Sequence, residues 1–595
     1  MRHGIGLPGP AGMLEKMHCL RLVLTLFVIA VLAPERAAAA LDIDGVSGSL
    51  EENLRALLTL DDASCDVPDW RLRRLRRQAD AEIRAALEAW GYYEPLVRID
   101  PISRDERCWS SRIEIEPGPP VRVRGITATV EGEAAGNERF QQLAAERPLP
   151  PGAVLNHARY ESWKRAFTEL ARQQGYFEAA FADSRVDVFV EERAADITLR
   201  FAAGPRYRFG PVRFEQTVVS PALVERFVQF RAGEPWDGVR VEELYNALLA
   251  TGYFSSVDLR TEPRPAPDLD VPITVTLAPA KRQVYVLGAG YSTDAGPKLR
   301  AGYTNRRLNA PGHQLDASLS VSQVLSEIGV SYRLPRSDPR VEWFSVDAGY
   351  QHEETDTSTS DIYKVGVKEF RRRRNDWIET RFIDLGVERS EVAGERQREF
   401  LLIPGLSWSR TVPANAPVVR LDQGHRLTGR ISGSTSLLGS DADFLQVDLY
   451  GKAILPLWSG GRVLLRGEFG TTVKDKFSDL PASVRYFAGG DNSVRGYDYE
   501  SLGPTNDEGD VIGGSHRVTA SVELDQRVWG NWSVAAFFDS GNALDSLSEI
   551  RTKSGVGGGL RWYSPLGPVR LDVAFPLDKD APDDWRIHIT LGPDL

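Results

Sequence analysis

One loop in the second half of the chain contains an arginine that is suited to binding buried carboxylates. Residues 488–497 interrupt a region of alternating strands, and no strand pattern returns before residue 514. A loop of this length is usually functional or disordered. The planar guanidinium group of arginine can bind a carboxylate through two parallel hydrogen bonds. The central motif of the loop consists of Val494, Arg495, Gly496 and Tyr497.

Two acids on the strands that follow this loop are the candidate partners of Arg495. Glu523 and Asp539 each lie in a segment where apolar and polar residues alternate, residues 518–525 and 532–541. Because successive side chains of a strand point to opposite faces, both carboxylates point away from the apolar face and into the interior. We therefore predict that Arg495 pairs with Glu523, with Asp539 or with both in a confined site.

No arrangement of residues predicts catalysis or a cofactor. The chain lacks the Gly-x-Ser-x-Gly motif of hydrolases, and its cysteines and histidines are not spaced as metal ligands. The glycine-rich residues 555–559 precede a strand, whereas a phosphate-binding loop precedes a helix. We therefore expect a protein that is not an enzyme and that holds neither a metal nor a cofactor.

The region that must position these residues has the pattern of a membrane β-barrel. From Gln283 onward apolar and polar residues alternate, for example over residues 315–322 and 445–452. Several segments exceed about eight residues, as tilted membrane-crossing strands do, whereas the strands of a soluble β-sandwich usually run shorter. At about 20 residues per strand and turn, residues 281–595 predict a closed barrel of about 16 antiparallel strands, which leaves no backbone group unpaired in lipid.

Three smaller units precede the barrel and repeat one pattern. In each unit an amphipathic helix ends at a glycine, one or two aromatic residues come next, and an extended segment follows. The anchors are Gly91-Tyr92-Tyr93, Gly175-Tyr176-Phe177 and Gly252-Tyr253-Phe254. A recurring unit of this size predicts an array of small α/β domains, which we assign to residues 41–118, 119–204 and 205–280.

The first 40 residues have the pattern of a secretory signal peptide. Lys16 and Arg21 precede an apolar run, residues 22–33, and a run of alanines that ends at residue 40 offers a cleavage site. No other segment has 18 consecutive apolar residues, so a helical membrane protein is excluded. The formal net charge of −11 argues against nucleic acid as a partner.

Only two cysteines follow the signal peptide, and both lie in the first repeat. Cys65 and Cys108 could form a disulfide in an oxidising compartment. Two separate buried thiols remain equally open, because the sequence does not define the distance between these residues.

The closure of the barrel is expected to be its weakest junction. The first strand must pair with the last, which ends near Leu591, and this pairing closes the longest loop in the barrel. Gly288 and Gly290 are expected to interrupt the first strand. Gly592 and Pro593 should end the last strand early, since proline cannot donate a backbone hydrogen bond. The resulting seam would expose a strand edge that can pair with a strand of another chain.

The three repeats, the barrel and the loop motif at residues 494–497 together resemble the polypeptide-transport-associated (POTRA) family of outer-membrane assembly proteins. The resemblance covers the chain from residue 41 to its end and implies a sixteen-stranded barrel in the bacterial outer membrane, with the repeats in the periplasm. It also implies that Arg495 contacts Glu523 and Asp539. By resemblance, client outer-membrane proteins such as autotransporters insert at the seam, in contact with outer-membrane lipid. A TamB-like inner-membrane-anchored periplasmic protein is the implied partner, and no cofactor is implied.

Three other barrel functions fit parts of the pattern. A two-partner-secretion type polypeptide transporter pore is the main alternative, although it would be expected to have two repeats. A general assembly barrel would be expected to have five. A plain diffusion porin has no need of a periplasmic array, so the three repeats disfavour it as well.

Overall fold

The computed structural model describes residues 40–104, 108–356, 358–413, 420–474, 477, 480–565, 567–578, 581 and 583–592. The predicted signal peptide lies outside the described residues except for residue 40, and Pro593 lies outside them as well. In the described part of the chain, no helix combines the length and the apolar character needed to cross a lipid bilayer.

The first domain packs two helices against a small sheet. Its helices are α1 (Ser49–Leu57) and α2 (Asp69–Glu88), and its strands are β1 (Ala40–Asp44), β2 (Leu96–Ile99), β3 (Ser103–Arg104) and β4 (Trp109–Glu116). Strand β4 lies between β1 and β2 and also pairs with β3. Helix α2 buries Leu72, Ala79 and Ile83, which lie on one face because their spacing follows the helical period.

The second and third domains share one arrangement of strands. The second consists of β5 (Arg122–Glu131), α3 (Glu138–Ala145), α4 (His157–Gln174), β6 (Ala180–Phe189) and β7 (Ala194–Ala202). The third consists of β8 (Arg208–Glu215), α5 (Pro221–Glu225), α6 (Gly238–Ala250), β9 (Phe254–Thr261) and β10 (Asp270–Pro279). In each sheet the last strand lies in the middle, parallel to the first strand and antiparallel to the other.

The repeated glycines lie at the joints between consecutive domains. The carbonyl of Gly91 accepts the N–H of Val121 at 2.8 Å, and the carbonyl of Gly175 accepts the N–H of Tyr207 at 2.9 Å. Gly175 ends α4 with a φ of 87°, and a Cβ at this position would lie 2.5 Å from Cβ of Trp236. Each of these glycines therefore ends a helix and also holds the domain that follows.

The remaining strands form a closed barrel in which every strand pairs with its neighbours in sequence, and this confirms the predicted fold. The 16 strands are β11 (Gln283–Ser292), β12 (Gly296–Asn305), β13 (Gln314–Val321), β14 (Leu325–Pro335), β15 (Glu342–Glu354), β16 (Ser358–Arg372), β17 (Ile378–Val392), β18 (Glu395–Val412), β19 (Gly424–Ser434), β20 (Phe444–Trp458), β21 (Gly461–Lys474), β22 (His516–Trp529), β23 (Trp532–Leu544), β24 (Lys553–Ser564), β25 (Gly567–Pro576) and β26 (Arg586–Leu591). The outward positions carry exposed apolar side chains such as Leu449, Val522 and Phe538. The inward positions of the same strands carry polar groups, as a lipid-facing barrel with a wet lumen requires.

The third domain is held against the turn between β12 and β13. The hydroxyl of Tyr253 donates to the carbonyl of Gly312 at 2.5 Å, and the N–H of Ser220 donates to the carbonyl of Ala310 at 2.8 Å. These contacts define a proximal end of the barrel, beside the domains, and a distal end opposite to it.

The seam between β11 and β26 contains a single ladder pair among the described residues, Ser292 with Thr590. One further backbone hydrogen bond joins the N–H of Thr293 to the carbonyl of Ile589 at 3.1 Å. The rest of β11, residues 283–291, has no ladder partner on this side in the described chain. Its exposed side chains include Tyr285, Val286 and Leu287.

Gly288 and Gly290 do not interrupt β11, in contrast to the expectation from the sequence. The strand pairs with β12 residue for residue from position 283 to position 292. A ladder of backbone hydrogen bonds needs no Cβ, so glycine does not break it. The pairing is lost on the other side, because β26 spans only six residues and ends at Leu591. Gly592 follows this end, and its N–H donates to the carbonyl of Pro568 in β25, the neighbour of β26 that lies away from the seam.

Candidate functional site

The loop between β21 and β22 folds back into the barrel lumen. Its long described stretch, residues 480–515, is held by isolated bridges between Tyr486 and Gly514 and between Ala488 and Leu502. Val494 and Tyr497 are buried, and Val494 packs with Ala488 and Leu502. The loop therefore brings its arginine into the interior of the barrel.

Arg495 binds both acids that the strand pattern placed on the inner face. Its Nε and Nη2 donate to the two oxygens of Asp539 at 2.7 and 3.0 Å, and its Nη1 donates to Oε2 of Glu523 at 2.8 Å. All three side chains are buried, and Asp539 has no exposed surface. Charge-assisted hydrogen bonds of this kind are stronger than neutral ones, and the fork of the guanidinium sets their direction.

A third acid and a second arginine complete the cluster, and the sequence analysis did not include them. Asp572 of β25 accepts from Nη1 of Arg495 at 3.1 Å and from Nη1 of Arg561 at 2.5 Å. Arg561 of β24 also donates to Glu523 at 2.9 Å. The sequence did contain a signal for both residues. Arg561 and Asp572 each alternate with apolar neighbours, and this pattern places their side chains on the inner face of β24 and β25.

The glycine-rich run at residues 555–559 makes room for the loop and for the charges. A Cβ at Gly555 would lie 2.0 Å from the carbonyl oxygen of Arg495, and a Cβ at Gly559 would lie 2.1 Å from Oδ1 of Asp572. On the other side, the guanidinium carbon of Arg495 lies 3.4 Å from the ring centroid of Phe537. The arginine is therefore enclosed by carboxylates, by an aromatic face and by the part of β24 whose inward positions, 555, 557 and 559, are glycines.

The other residues of the motif also bind the end of the barrel wall. The N–H of Gly496 donates to Nε2 of His588 at 2.9 Å, and the hydroxyl of Tyr497 donates to Oδ2 of Asp578 at 2.6 Å. Asp578 follows β25 and His588 lies in β26. The motif thus contacts the last two strands as well as β22 and β23.

Three residues that are distant in sequence have side chains that could hold a metal ion. The ligand atoms of Asp294, Asp491 and His588 all lie within 4.8 Å of one another. These atoms already bind protein groups: Oδ2 of Asp294 accepts the N–H of Asp491 at 2.6 Å, and Nδ1 of His588 lies 2.6 Å from Oδ1 of Asp491. The sequence analysis missed this cluster, because its members come from three separate segments.

Cys65 and Cys108 form a disulfide in the first domain, with their Cα atoms 4.7 Å apart. Close by, the indole N–H of Trp109 donates to the carbonyl of Ala63 at 3.1 Å. The disulfide therefore joins the segment between α1 and α2 to the start of β4, and it lies in a different domain from the arginine cluster.

The barrel has an apolar exterior, a polar lumen with an inserted loop, and an array of α/β domains at one end. These features together define an outer-membrane β-barrel with N-terminal periplasmic domains. Residues 308–594 match the Omp85 superfamily domain. Residues 40–117 match the POTRA domain described as TamA domain 1, and residues 207–280 match the POTRA family described as a surface antigen variable number repeat. The chain belongs to the Omp85 superfamily, with its barrel in the outer membrane and its POTRA domains in the periplasm.

Two curated relatives are named outer membrane protein assembly factor BamA. The protein from Nitratidesulfovibrio vulgaris is 23% identical over 422 residues, which are 67% of this chain and 53% of that protein. The protein from Neisseria meningitidis serogroup B is 21% identical over 582 residues, which are 84% of this chain and 70% of that protein. The chain therefore spans about half the length of the first relative.

A solved structure supports the same fold. The crystal structure of BamA from Haemophilus ducreyi lacking POTRA domains 1–3 superposes with a TM-score of 0.63 at 18% sequence identity. The superposition covers 79% of this chain and 99% of that chain. At this level of identity the similarity concerns the fold alone.

Proposed function

We propose that this chain is a TamA-like insertase, a protein without catalytic chemistry that helps to insert and assemble β-barrel outer-membrane proteins such as autotransporters. Two findings support the proposal. The first domain matches the POTRA domain described as TamA domain 1, and the curated relatives are named assembly factors for outer-membrane proteins.

The observation that carries the proposal is the open edge of β11. Residues 283–291 have no ladder partner on the side of β26 in the described chain, and the side chains of Tyr285, Val286 and Leu287 in this stretch are exposed. An unpaired strand edge is a template for another strand, and added strands gain backbone hydrogen bonds along their whole length. A client strand would first pair with β11 at the proximal part of the seam, and entry of the client barrel would then separate Ser292 from Thr590 at the distal part.

A TamB-like inner-membrane-anchored periplasmic protein is the proposed partner. The first POTRA domain is the part of the chain that is farthest from the barrel in sequence, so it is the natural contact for a protein that crosses the periplasm. Crosslinking in cell envelopes from a cysteine on the exposed face of α2, for example at Arg74, tests this contact. The absence of any crosslink to an inner-membrane-anchored protein from α2 and from the sheet edges β1 and β2 would contradict it.

A disulfide across the seam tests the insertase function. Ser292→Cys combined with Thr590→Cys joins the ladder pair that the described residues form across the seam, and Ser320→Cys combined with Glu327→Cys joins a matched pair between β13 and β14. We expect the seam disulfide to block insertion of an unfolded client barrel into vesicles, and the control disulfide to leave insertion unchanged.

The outcomes of this experiment separate the two candidate functions. Full insertion in the oxidised seam variant would refute passage of clients through the seam. Transfer of a soluble client across the vesicle membrane, without insertion of any barrel, would instead favour the two-partner-secretion type of pore. Reductant should restore insertion in the seam variant alone.

A further inference from the structure

The inserted loop contacts the first hairpin of the barrel through a reciprocal pair of aspartates. The N–H of Asp491 donates to Oδ2 of Asp294 at 2.6 Å, and the N–H of Asp294 donates to Oδ2 of Asp491 at 3.3 Å. Asp294 lies in the turn between β11 and β12, on one side of the seam. A Cβ at Gly490 would lie 2.5 Å from Oδ2 of Asp294, so this close approach depends on glycine.

The same loop residue also contacts β26, on the other side of the seam. Nδ1 of His588 lies 2.6 Å from Oδ1 of Asp491, and Nε2 of His588 accepts the N–H of Gly496 at 2.9 Å. Because a backbone N–H can only donate, Nε2 must be the acceptor, and the ring carries its proton on Nδ1, which donates to Asp491. His588 is only 2% exposed, so water does not replace these two hydrogen bonds.

Thr293 joins the loop to both strands of the seam. Its hydroxyl donates to Oδ1 of Asp491 at 2.7 Å and accepts the N–H of Ile589 at 3.1 Å. At the start of β26, Nη2 of Arg586 donates to Oδ2 of Asp498 in the loop at 2.7 Å. The loop therefore binds β26 and the β11–β12 turn at the same time.

We propose that the loop is a clasp that holds the seam closed, with Asp491 and His588 as its central contact. Among the described residues the direct ladder between the two strands is a single pair, whereas the contacts through Asp491, Gly496, Asp498 and Thr293 bridge the same gap. Release of the loop from the lumen would free β26 from β11. The clasp concerns closure of the barrel and involves no client, so it can be tested even if the proposed insertase function fails.

Hydrogen exchange in the full-length protein measures closure of the seam. In His588→Ala, the amides of residues 586–592 and 292–294 should exchange on the order of tenfold faster than in the unchanged protein, because two buried hydrogen bonds are lost. His516→Ala is the matched control. His516 also lies on a barrel strand and is hydrogen-bonded through Nδ1, to Thr471 at 2.8 Å, but residues 516–526 of its strand are paired on both sides.

Asp539→Asn tests the clasp from its far end. Asp539 lies on β23 and binds the loop through Arg495, so this change touches neither strand of the seam. If the loop closes the seam, exchange at residues 586–592 should also accelerate in Asp539→Asn. If the loop only fills the lumen, exchange should change near β22 and β23 alone, and this result would overturn the proposal.

Loss of heat-modifiable migration in gels would show that His588→Ala does not fold. Two further variants keep the proposal testable in that case. His588→Asn keeps a donor near the position of Nδ1 but loses the acceptor for Gly496, and Thr293→Val removes the hydroxyl that joins Asp491 to Ile589. Both should accelerate exchange at the seam. Exchange equal to that of His516→Ala in every folded variant would show that the seam closes without the loop.

Discussion

The backbone N–H and the side chain of Arg495 bind the same oxygen of Asp539, Oδ2, at 3.1 and 2.7 Å. The second oxygen of this carboxylate accepts from Nη2 of Arg495 at 3.0 Å. One buried carboxylate thus holds both the main chain and the charge of the loop. A change at Asp539 should therefore affect the path of the loop as well as the balance of charge.

Neutralising Asp539 should release the loop. In Asp539→Asn the remaining charges stay buried, and breaking a buried ion pair costs about 3–5 kcal/mol. We expect faster trypsin cleavage after Arg485 and Arg495 and a lower temperature for the loss of heat-modifiable migration. Glu549→Gln is the control, because its pair with Arg551 is exposed, and it should change neither measurement. Equal behaviour of the two variants would show that the buried pair does not hold the loop.

Loss of the disulfide should destabilise the first POTRA domain and leave the barrel intact. The bond between Cys65 and Cys108 closes a loop with a sequence separation of 43, and removal of such a link costs about 4 kcal/mol in the chain-entropy treatment. The double change Cys65→Ser with Cys108→Ser should make residues 58–68 sensitive to protease at a lower urea concentration. Thiol labelling of the unreduced, unfolded mature protein should find no free cysteine, and two labelled thiols would contradict the pairing.

The joint between the second and third POTRA domains should loosen in alkaline solution. Burial, together with a hydrogen bond of 2.7 Å to Glu178, raises the pKa of Tyr207 from 10.0 to about 12. Because the folded-state pKa is raised, this contribution to stability is complete below pH 10 and is lost as the pH rises from 10 through 12. Absorbance titration of tyrosinate should contain a late step that is missing in Tyr207→Phe. Identical titration curves for the two proteins would contradict the assignment.

Gly312 should be essential for docking of the third POTRA domain on the barrel. A Cβ at this position would lie 2.4 Å from Cδ2 of Leu223 and 2.8 Å from the hydroxyl of Tyr253, so Gly312→Ala should separate the domain from the β12–β13 turn. Trypsin cleavage after Arg307 should then accelerate. Gly233→Ala is the control, because Gly233 has a similar φ of +87° but open space at its Cβ. Equal cleavage in the two variants would show that backbone strain, and not the lost contact, causes the faster cleavage after Arg307.

The sequence alone determined the architecture, because the signals for it are local. Alternation with a period of two identified the barrel strands, and glycines at the ends of amphipathic helices identified the repeated units. The same alternation determined that Glu523 and Asp539 face inward. A side chain's face depends only on its position in its own strand, so it can be read without knowledge of the neighbouring strands.

The tertiary structure alone decided which inward residues meet. Asp572 and Arg561 join Arg495, and His588 meets Asp491 across a sequence distance of 97 residues. The alternation of side chains along a strand shows which face a residue lies on, but not how deep in the barrel the residue lies. That depth depends on the register and tilt of all the strands together. The same holds for the seam. Its one ladder pair within the described part of the chain depends on where the short β26 lies against β11, and the glycines of β11 do not decide it.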